Sequence, residues 1–317
     1  MSAPVLLIIY KRPDLTRRAL ATIAEAAPSR VFVAADGPRS AAEAEACRAT
    51  RAVVDEFRDR LDLVTSFAGE NLGCGIRIHT AISWAFTQTE ELIILEDDCV
   101  PSASFFRFCN ELLAHYRDDE RVMHVSGDNF VGPELSGAYS YYFSKYTHAS
   151  GWATWKRAWR FFDWSIARWP ELKANGILEA WHRDALERRY WSEIYDRLSA
   201  GDRDVWDLQW NLAVWSQSGL VALPAANLVL NDGWGPDATH TKTALDWPAA
   251  EEMGDIHHPP HVFRNERADA ITFDRNFGGA AMRAADSPRA RFRRRISPLL
   301  GPARVVKRAL RRMRPRS

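Results

Sequence analysis

This 317-residue sequence has few of the features that mark a secreted, membrane-spanning or dinucleotide-binding protein. It has four cysteines, Cys47, Cys74, Cys99 and Cys109, none in CxxC spacing. That usage gives no disulfide framework, and a reducing cytoplasm is the simplest compartment. No apolar run approaches the ~20 residues that a transmembrane helix requires. Near the N-terminus, Val5–Ile9 is short and reads as a strand, not as the core of an export signal. No GxGxxG follows that strand and no GxxxxGK[ST] occurs, which disfavours the dinucleotide and P-loop readings. Acids are missing after Asp286, where 12 of the 42 Lys and Arg residues lie. The body before that point carries the remaining 30 against 41 acids, a net charge of −11, beneath an overall +1. An acidic body with a basic tail fits an address for an anionic surface better than a body that binds nucleic acid.

One stretch organises the rest: Leu92-Ile93-Ile94-Leu95-Glu96-Asp97-Asp98-Cys99-Val100-Pro101. Branched apolar residues predict a strand buried on both faces. Three consecutive carboxylates then repel one another and resist desolvation unless a cation neutralises them. Pro101 is expected to stop the strand. In open α/β sheets, ligands gather at the carboxyl ends of strands. Oxygen-only ligands suit Mg²⁺ or Mn²⁺, which commonly also bind substrate phosphates. A plain acidic turn that solvates a loop remains the alternative.

Around that stretch, strands and helices alternate. Strands are expected at Pro4–Tyr10, Arg30–Ala35, Leu61–Ser66 and Val122–Ser126, and helices at Asp14–Ala27, Ala41–Arg60, Ile76–Glu90 and Phe105–Tyr116. Asp14 is a candidate N-cap. The spacing predicts an α/β fold with a mostly parallel sheet flanked by helices. Residues 1–130 read as one half of a single domain, 131–286 as a second half, and 287–317 as a basic amphipathic or disordered tail. Of thirteen tryptophans, only Trp84 precedes Trp152. Trp152, Trp155 and Trp159 stand at i, i+3, i+7 and predict a helical stripe, read first as core. The run His257-His258-Pro259-Pro260-His261 lacks helical metal spacing and reads as a rigid turn.

The order of features resembles the GT-A glycosyltransferases. They share a loop after strand one, an Asp ending strand two, a glycine loop with a helix, and then a hydrophobic run with EDD. The likeness is strongest to the N-acetylglucosaminyltransferase I type, where EDD serves as the DxD motif. The strings NLGCG, ILEDDCVPSASFF, VSGDNF, GWATW, WDLQW and DATHT also look like bacterial GT-A enzymes of surface-polysaccharide assembly. The resemblance runs from about Pro4 to Thr243.

It implies a set of roles. Asp98 is the metal ligand, with His240 completing the Mn²⁺ or Mg²⁺ site. Asp97 faces the metal's waters or the ribose, and Glu96 the donor sugar or ribose. Asp36 accepts a hydrogen bond from the base, with a lean to uridine, and Tyr10 and Arg12 line the base and ribose pocket. Arg77 and His79 meet the diphosphate or sugar, or else simply cap and solvate. Lys242 neutralises phosphate. Asp207, between Trp206 and Trp210, is the general base of an inverting transfer, or a helix-start Asp. Asp128 and Asn129 are acceptor-side groups or caps. The implied protein is a metal-dependent enzyme moving sugar from a nucleotide-diphosphate sugar to a glycan or lipid-linked acceptor. It would be cytoplasmic and peripheral on the inner face of the cell membrane through its basic tail. Two other readings stay open: a sugar-phosphate nucleotidyltransferase, and a noncatalytic glycan-binding protein using its tryptophans as platforms.

Overall fold

A computed structural model describes residues 2–233 and 248–286. His240 and Lys242, and the basic tail, lie outside the described residues.

Ten strands run in chain order: β1 (Val5–Ile9), β2 (Val31–Ala35), β3 (Leu63–Phe67), β4 (Glu91–Glu96), β5 (Cys99–Pro101), β6 (Val122–Ser126), β7 (Tyr141–Ser144), β8 (Trp152–Trp155), β9 (Leu220–Pro224) and β10 (Val229–Asn231). The first helices are α1 (Pro13–Ala26), α2 (Ala41–Asp55), α3 (Cys74–Ala85) and α4 (Ala103–His115). Short helices follow: α5 (Lys156–Trp159), α6 (Trp169–Ala174) and α7 (Ile177–Trp181). Then come α8 (Ala185–Ser199), α9 (Asp207–Ser216), α10 (Glu266–Asn276) and α11 (Gly279–Asp286).

Eight strands form one sheet in the order β3-β2-β1-β4-β8-β6-β9-β7, with β5 and β10 in a separate two-stranded ribbon. β1 to β4 are mutually parallel, and only β8 and β7 run against the other six. The expected α/β class, mostly parallel and flanked by helices, is what forms. β6 sits between β8 and β9, so strands from before and after residue 130 interleave in one sheet.

Strand periodicity sorts the core. Val5, Leu7 and Ile9 point to one layer with α1, α2 and α4, while Leu6 and Ile8 point to the other with α3 and α9. Successive side chains on opposite faces explain why β1 and β4 need apolar residues at every position. A third cluster around Trp191, Trp215, Tyr195 and Tyr146 joins α6, α7, α8, α9 and α10.

Three local expectations are corrected. Trp152 and Trp155 lie on a strand, so three residues of separation send them to opposite faces of the sheet. Both are buried, so their core assignment stands while the helical stripe does not. Asp14 is not the cap of α1: Pro13 takes the first helical position and Arg12 the cap position, where its side chain caps nothing. Pro101 does not stop the strand of the apolar run, since β4 ends at Glu96; it ends β5 instead, paired with Val229 in the short ribbon, where a missing N–H is tolerated.

Candidate active site

The sheet order reverses at β1: β2 and β3 are added on one side and β4 on the other. Their carboxyl ends therefore open a crevice between the residues after β1 and those after β4. Tyr10, Lys11 and Arg12 leave β1 there, and Glu96, Asp97 and Asp98 leave β4 there.

The acids occupy the corner where the chain passes from the main sheet into the ribbon. Glu96 is still in register with Ile8, and the Asp97 amide donates to the Ile8 carbonyl at 3.0 Å. Beyond the corner, Cys99 pairs with Asn231, and the Asp232 amide donates to the Asp98 carbonyl at 2.8 Å. Gly233 comes so close that a Cβ there would stand 2.2 Å from Asp98 Oδ2. Only glycine permits that approach.

Arg12 answers the charge. Its Nη2 donates to Asp97 Oδ1 and, at 2.9 Å, to Asp98 Oδ2. Asp97 is almost fully buried and also accepts from the Tyr10 amide at 3.4 Å. Burial first, and then the charge of Asp98, hold the carboxyls of Glu96 and Asp97 above the usual range, with Arg12 opposing both shifts.

Asp207 belongs to the same neighbourhood, although 109 residues separate it from Asp98 in sequence. Its negative charge adds to the upward shift of Glu96. It also adds to that of Cys74, which is raised mainly by burial and then by Glu96, Asp207, Asp204 and Asp98. The first turn of α9 thus lies within electrostatic reach of Glu96 and Cys74. Its anchors are the tryptophans on either side. Trp206 stacks on Trp152 with centroids 5.4 Å apart, and Trp210 Nε1 donates to His124 Nδ1 at 3.0 Å. His124 Nε2 donates in turn to the His148 carbonyl at 2.9 Å, which fixes the tautomer.

The glycine loop closes the other wall. Asp36 is buried, and its two oxygens accept from the amides of Gly37, Leu72 and Gly73 and from Asn71 Nδ2, all within 3.1 Å. A carboxylate has about four acceptor positions, so those of Asp36 are filled within the protein. It braces the loop, and the implied role of accepting from a base is corrected on that ground. Gly37 lies against the Glu70 backbone, where a Cβ would approach the Glu70 carbonyl carbon at 2.4 Å. Tyr10 Oη and Lys11 Nζ both donate to Glu43, whose pKa falls to about 2 through those hydrogen bonds.

Arg77 is 6% exposed, donates to the Ser66 carbonyl and hydroxyl, and keeps a buried Nε without a partner. Tyr10, Arg12, Asp36, Asn71, Arg77 and Asp97 all line one half-open cavity of about 80 Å³. That volume suits a phosphate-sized group, so a larger ligand would lie across the crevice mouth. A cavity of about 880 Å³ lies between α1 and α4 and includes none of the three clustered acids.

Other expected site residues sit elsewhere. His79 packs its ring on Phe162 and Trp164 at 5.4 and 4.9 Å, and burial lowers its pKa. It is not among the residues lining the crevice cavity, so a donor contact is corrected to packing. Asp128 is 1% exposed, with Oδ2 accepting from the Ser150 amide, and burial pushes its carboxyl pKa well above the usual range. Asn129 accepts from Val131 and Gly132 and donates to Ala225. Both residues shape a buried turn, within which Asp128 Oδ1 has no partner among the described residues. Asn71, Glu43 and Asp204 were missed. Asn71 alone had a signal, as the first residue of NLGCG.

A divalent cation, which the sequence resemblance implies, fits this donor set in part. Among the described residues no three ligand-type side chains converge on one point. Magnesium-like ions, however, are usually held by one or two carboxylates plus substrate phosphates. Asp97 and Asp98 already bind a cation, the Arg12 guanidinium, and Gly233 leaves room beside Asp98 Oδ2.

No family model matches the chain, and no curated protein matches it. Among solved structures, the chain aligns with mannosyltransferase PcManGT from Pyrobaculum calidifontis in complex with GDP-Man and Mn²⁺. Identity is 18%, TM-score 0.36, and the match covers 50% of this chain and 46% of that one. It also aligns with UDP-glucose pyrophosphorylase complexed with UDP-glucose, at 9% identity and TM-score 0.38, over 71% of this chain and 90% of that one. The chain thus spans about half the length of the mannosyltransferase. Likenesses of this size assign neither a family nor an activity.

Proposed function

We propose that the chain is a GT-A-type glycosyltransferase that takes its sugar from a nucleotide-diphosphate sugar, uses Mn²⁺ or Mg²⁺, and inverts the anomeric carbon. The observation that supports this reading is the acidic corner at the β1/β4 crevice beside a cavity lined by Arg12 and Arg77, with the charge of Asp207 felt at Glu96. A bare acidic turn would need no such basic lining.

In this reading Asp98, with Asp97 behind it, would hold the metal. When bound, the metal would offset negative charge on the leaving diphosphate. Arg77 and Arg12 line the crevice cavity and would hold the phosphate oxygens nearest the protein. Tyr10, Arg39 and Asn71 would meet the nucleoside, because Asp36 has no acceptor position left for a base. The lean to uridine is therefore left to experiment. Asp207 would take the proton of the attacking acceptor hydroxyl. The packed Trp206 and Trp210 hold the turn that carries Asp207 in place.

The acceptor is proposed to be a glycan or lipid-linked saccharide of the cell envelope, reached from the cytoplasmic face. The 12 tail bases would bind anionic lipid, each contributing on the order of 1 kcal/mol. A chain ending at Asp286 should lose binding to anionic vesicles, and equal binding would remove the tail from this role.

The deciding experiment is a panel of nucleotide sugars tested for Mn²⁺-dependent thermal stabilisation and nucleotide release. Stabilisation by at least one donor only with metal supports the reading. Formation of a nucleotide sugar from a nucleoside triphosphate and a sugar 1-phosphate would instead make the protein a nucleotidyltransferase.

A further inference from the structure

We propose that Arg12 is a built-in counter-cation, holding the acidic corner together without metal and passing to the diphosphate when a divalent cation and a nucleotide bind. This rests on the metal-dependent reading above and adds to it an order of events and a coupling between two ligands.

Three observations carry it. First, one guanidinium nitrogen bridges both carboxylates, Asp97 Oδ1 and Asp98 Oδ2, so Arg12 takes up the oxygens a metal would need. Second, its backbone is the cap residue of α1, but its side chain caps nothing and turns into the crevice. Third, the same side chain lines the crevice cavity together with Arg77, whose buried Nε–H has no acceptor among the described residues. An unpartnered buried cationic donor calls for an anion. Arg12 therefore borders two binding places at once, a carboxylate pair it now fills and an anion cavity beside it.

Charge fixes the consequence. A divalent ion arriving alone must compete with Arg12 for Asp98 and would then share the corner with a displaced guanidinium. A diphosphate arriving alone finds Arg12 engaged with two acids. When both arrive, the metal takes the carboxylates and Arg12 takes phosphate oxygens, so every charge keeps a partner. Metal and diphosphate should then bind with positive coupling, and coupling is reciprocal by thermodynamic necessity.

The test is Mn²⁺ binding to the full chain, read by loss of the free-ion electron paramagnetic resonance signal, with and without uridine or guanosine diphosphate. In the wild type, Mn²⁺ alone should bind weakly, and one diphosphate should tighten it by about tenfold or more. Arg12→Gln should tighten Mn²⁺ alone by about tenfold and shrink the diphosphate effect by a similar factor. Arg12→Lys keeps the charge, but its shorter side chain ends short of the position of Nη2 and holds the two carboxylates less well, so it should fall between. That variant also decides the matter if Arg12→Gln leaves Asp97 unpaired and fails to fold. If the wild type takes up no Mn²⁺ with either diphosphate, the metal-dependent reading itself fails. If it does, but folded variants bind Mn²⁺ alone as the wild type does, the proposal is overturned while that reading stands.

Discussion

Gly233→Ala puts the added Cβ 2.2 Å from Asp98 Oδ2, 2.9 Å from Asp98 Cγ and 3.0 Å from Asn231 Oδ1. None of these separations is tolerable, so something moves. The nearest atom ends a short side chain, and the cheapest relief is a rotation of Asp98 away from Gly233. An off-rotamer side chain costs about 0.5–1.5 kcal/mol. For a protein of this size that lowers the melting temperature by only about 2 °C. The fold therefore survives, but Asp98 leaves the direction from which it meets Arg12. Metal-dependent stabilisation by a nucleotide sugar should weaken by about tenfold or more in apparent affinity. Thermal unfolding with and without Mn²⁺ and donor separates the two effects in one assay. Gly254→Ala is the control: nothing lies within 4 Å of its added Cβ, and stability should hold or rise by up to about 1 kcal/mol. Undiminished donor stabilisation in folded Gly233→Ala would refute the claim that Asp98 and Gly233 form one binding corner.

Asp98→Asn keeps shape but removes charge, and should abolish metal-dependent donor binding in a protein that still melts cooperatively. Unchanged donor affinity would exclude Asp98 as the metal's ligand. Asp207→Asn should leave donor binding intact while transfer falls by roughly a hundredfold or more, the scale of a removed positioned base. Transfer near the wild-type rate would dismiss Asp207 as the base. Burial lowers the pKa of His124 to about 3 and of His148 to about 4. Both stay neutral when folded but protonate near 6.5 when unfolded, so their contribution is complete above that value and declines as pH falls. By pH 5 each costs about 2 kcal/mol, visible as a lower urea midpoint than at pH 7. His124→Gln, which can keep both hydrogen bonds, should remove about half of that loss, and equal midpoints at the two pH values would contradict it.

The sequence was most legible where periodicity and chemistry agreed. Unbroken apolar runs at Val5–Ile9 and Leu92–Leu95 could only be strands buried on both faces, and the acids after the second had to lie at a strand end. It was least legible where one spacing fits two structures. Trp152 and Trp155 satisfy a helical stripe, yet a strand buried on both faces also accepts a tryptophan at each position. Asp36 shows a different limit. Its place at the end of a strand, before Gly-Pro, was readable, but the four donors that occupy it come from Gly37 and, across a sequence gap of 35 to 37 residues, from Asn71, Leu72 and Gly73. His79 lies midway along α3 beside the crevice, and only its packing on Phe162 and Trp164 reveals that it turns away. The Arg12 bridge was likewise hidden: sequence gives a base and two acids 85 and 86 residues apart, and their contact depends on β1 lying beside β4.

The central claim, an inverting transfer at the β1/β4 crevice, is tested most directly by the anomeric configuration of the product. Wild-type protein, Mn²⁺, the donor selected by the panel and an acceptor can be followed in one tube by proton NMR. A single displacement assisted by Asp207 predicts a product whose anomeric configuration is opposite to the donor's from the first turnover. A product with the donor's own configuration would contradict the account.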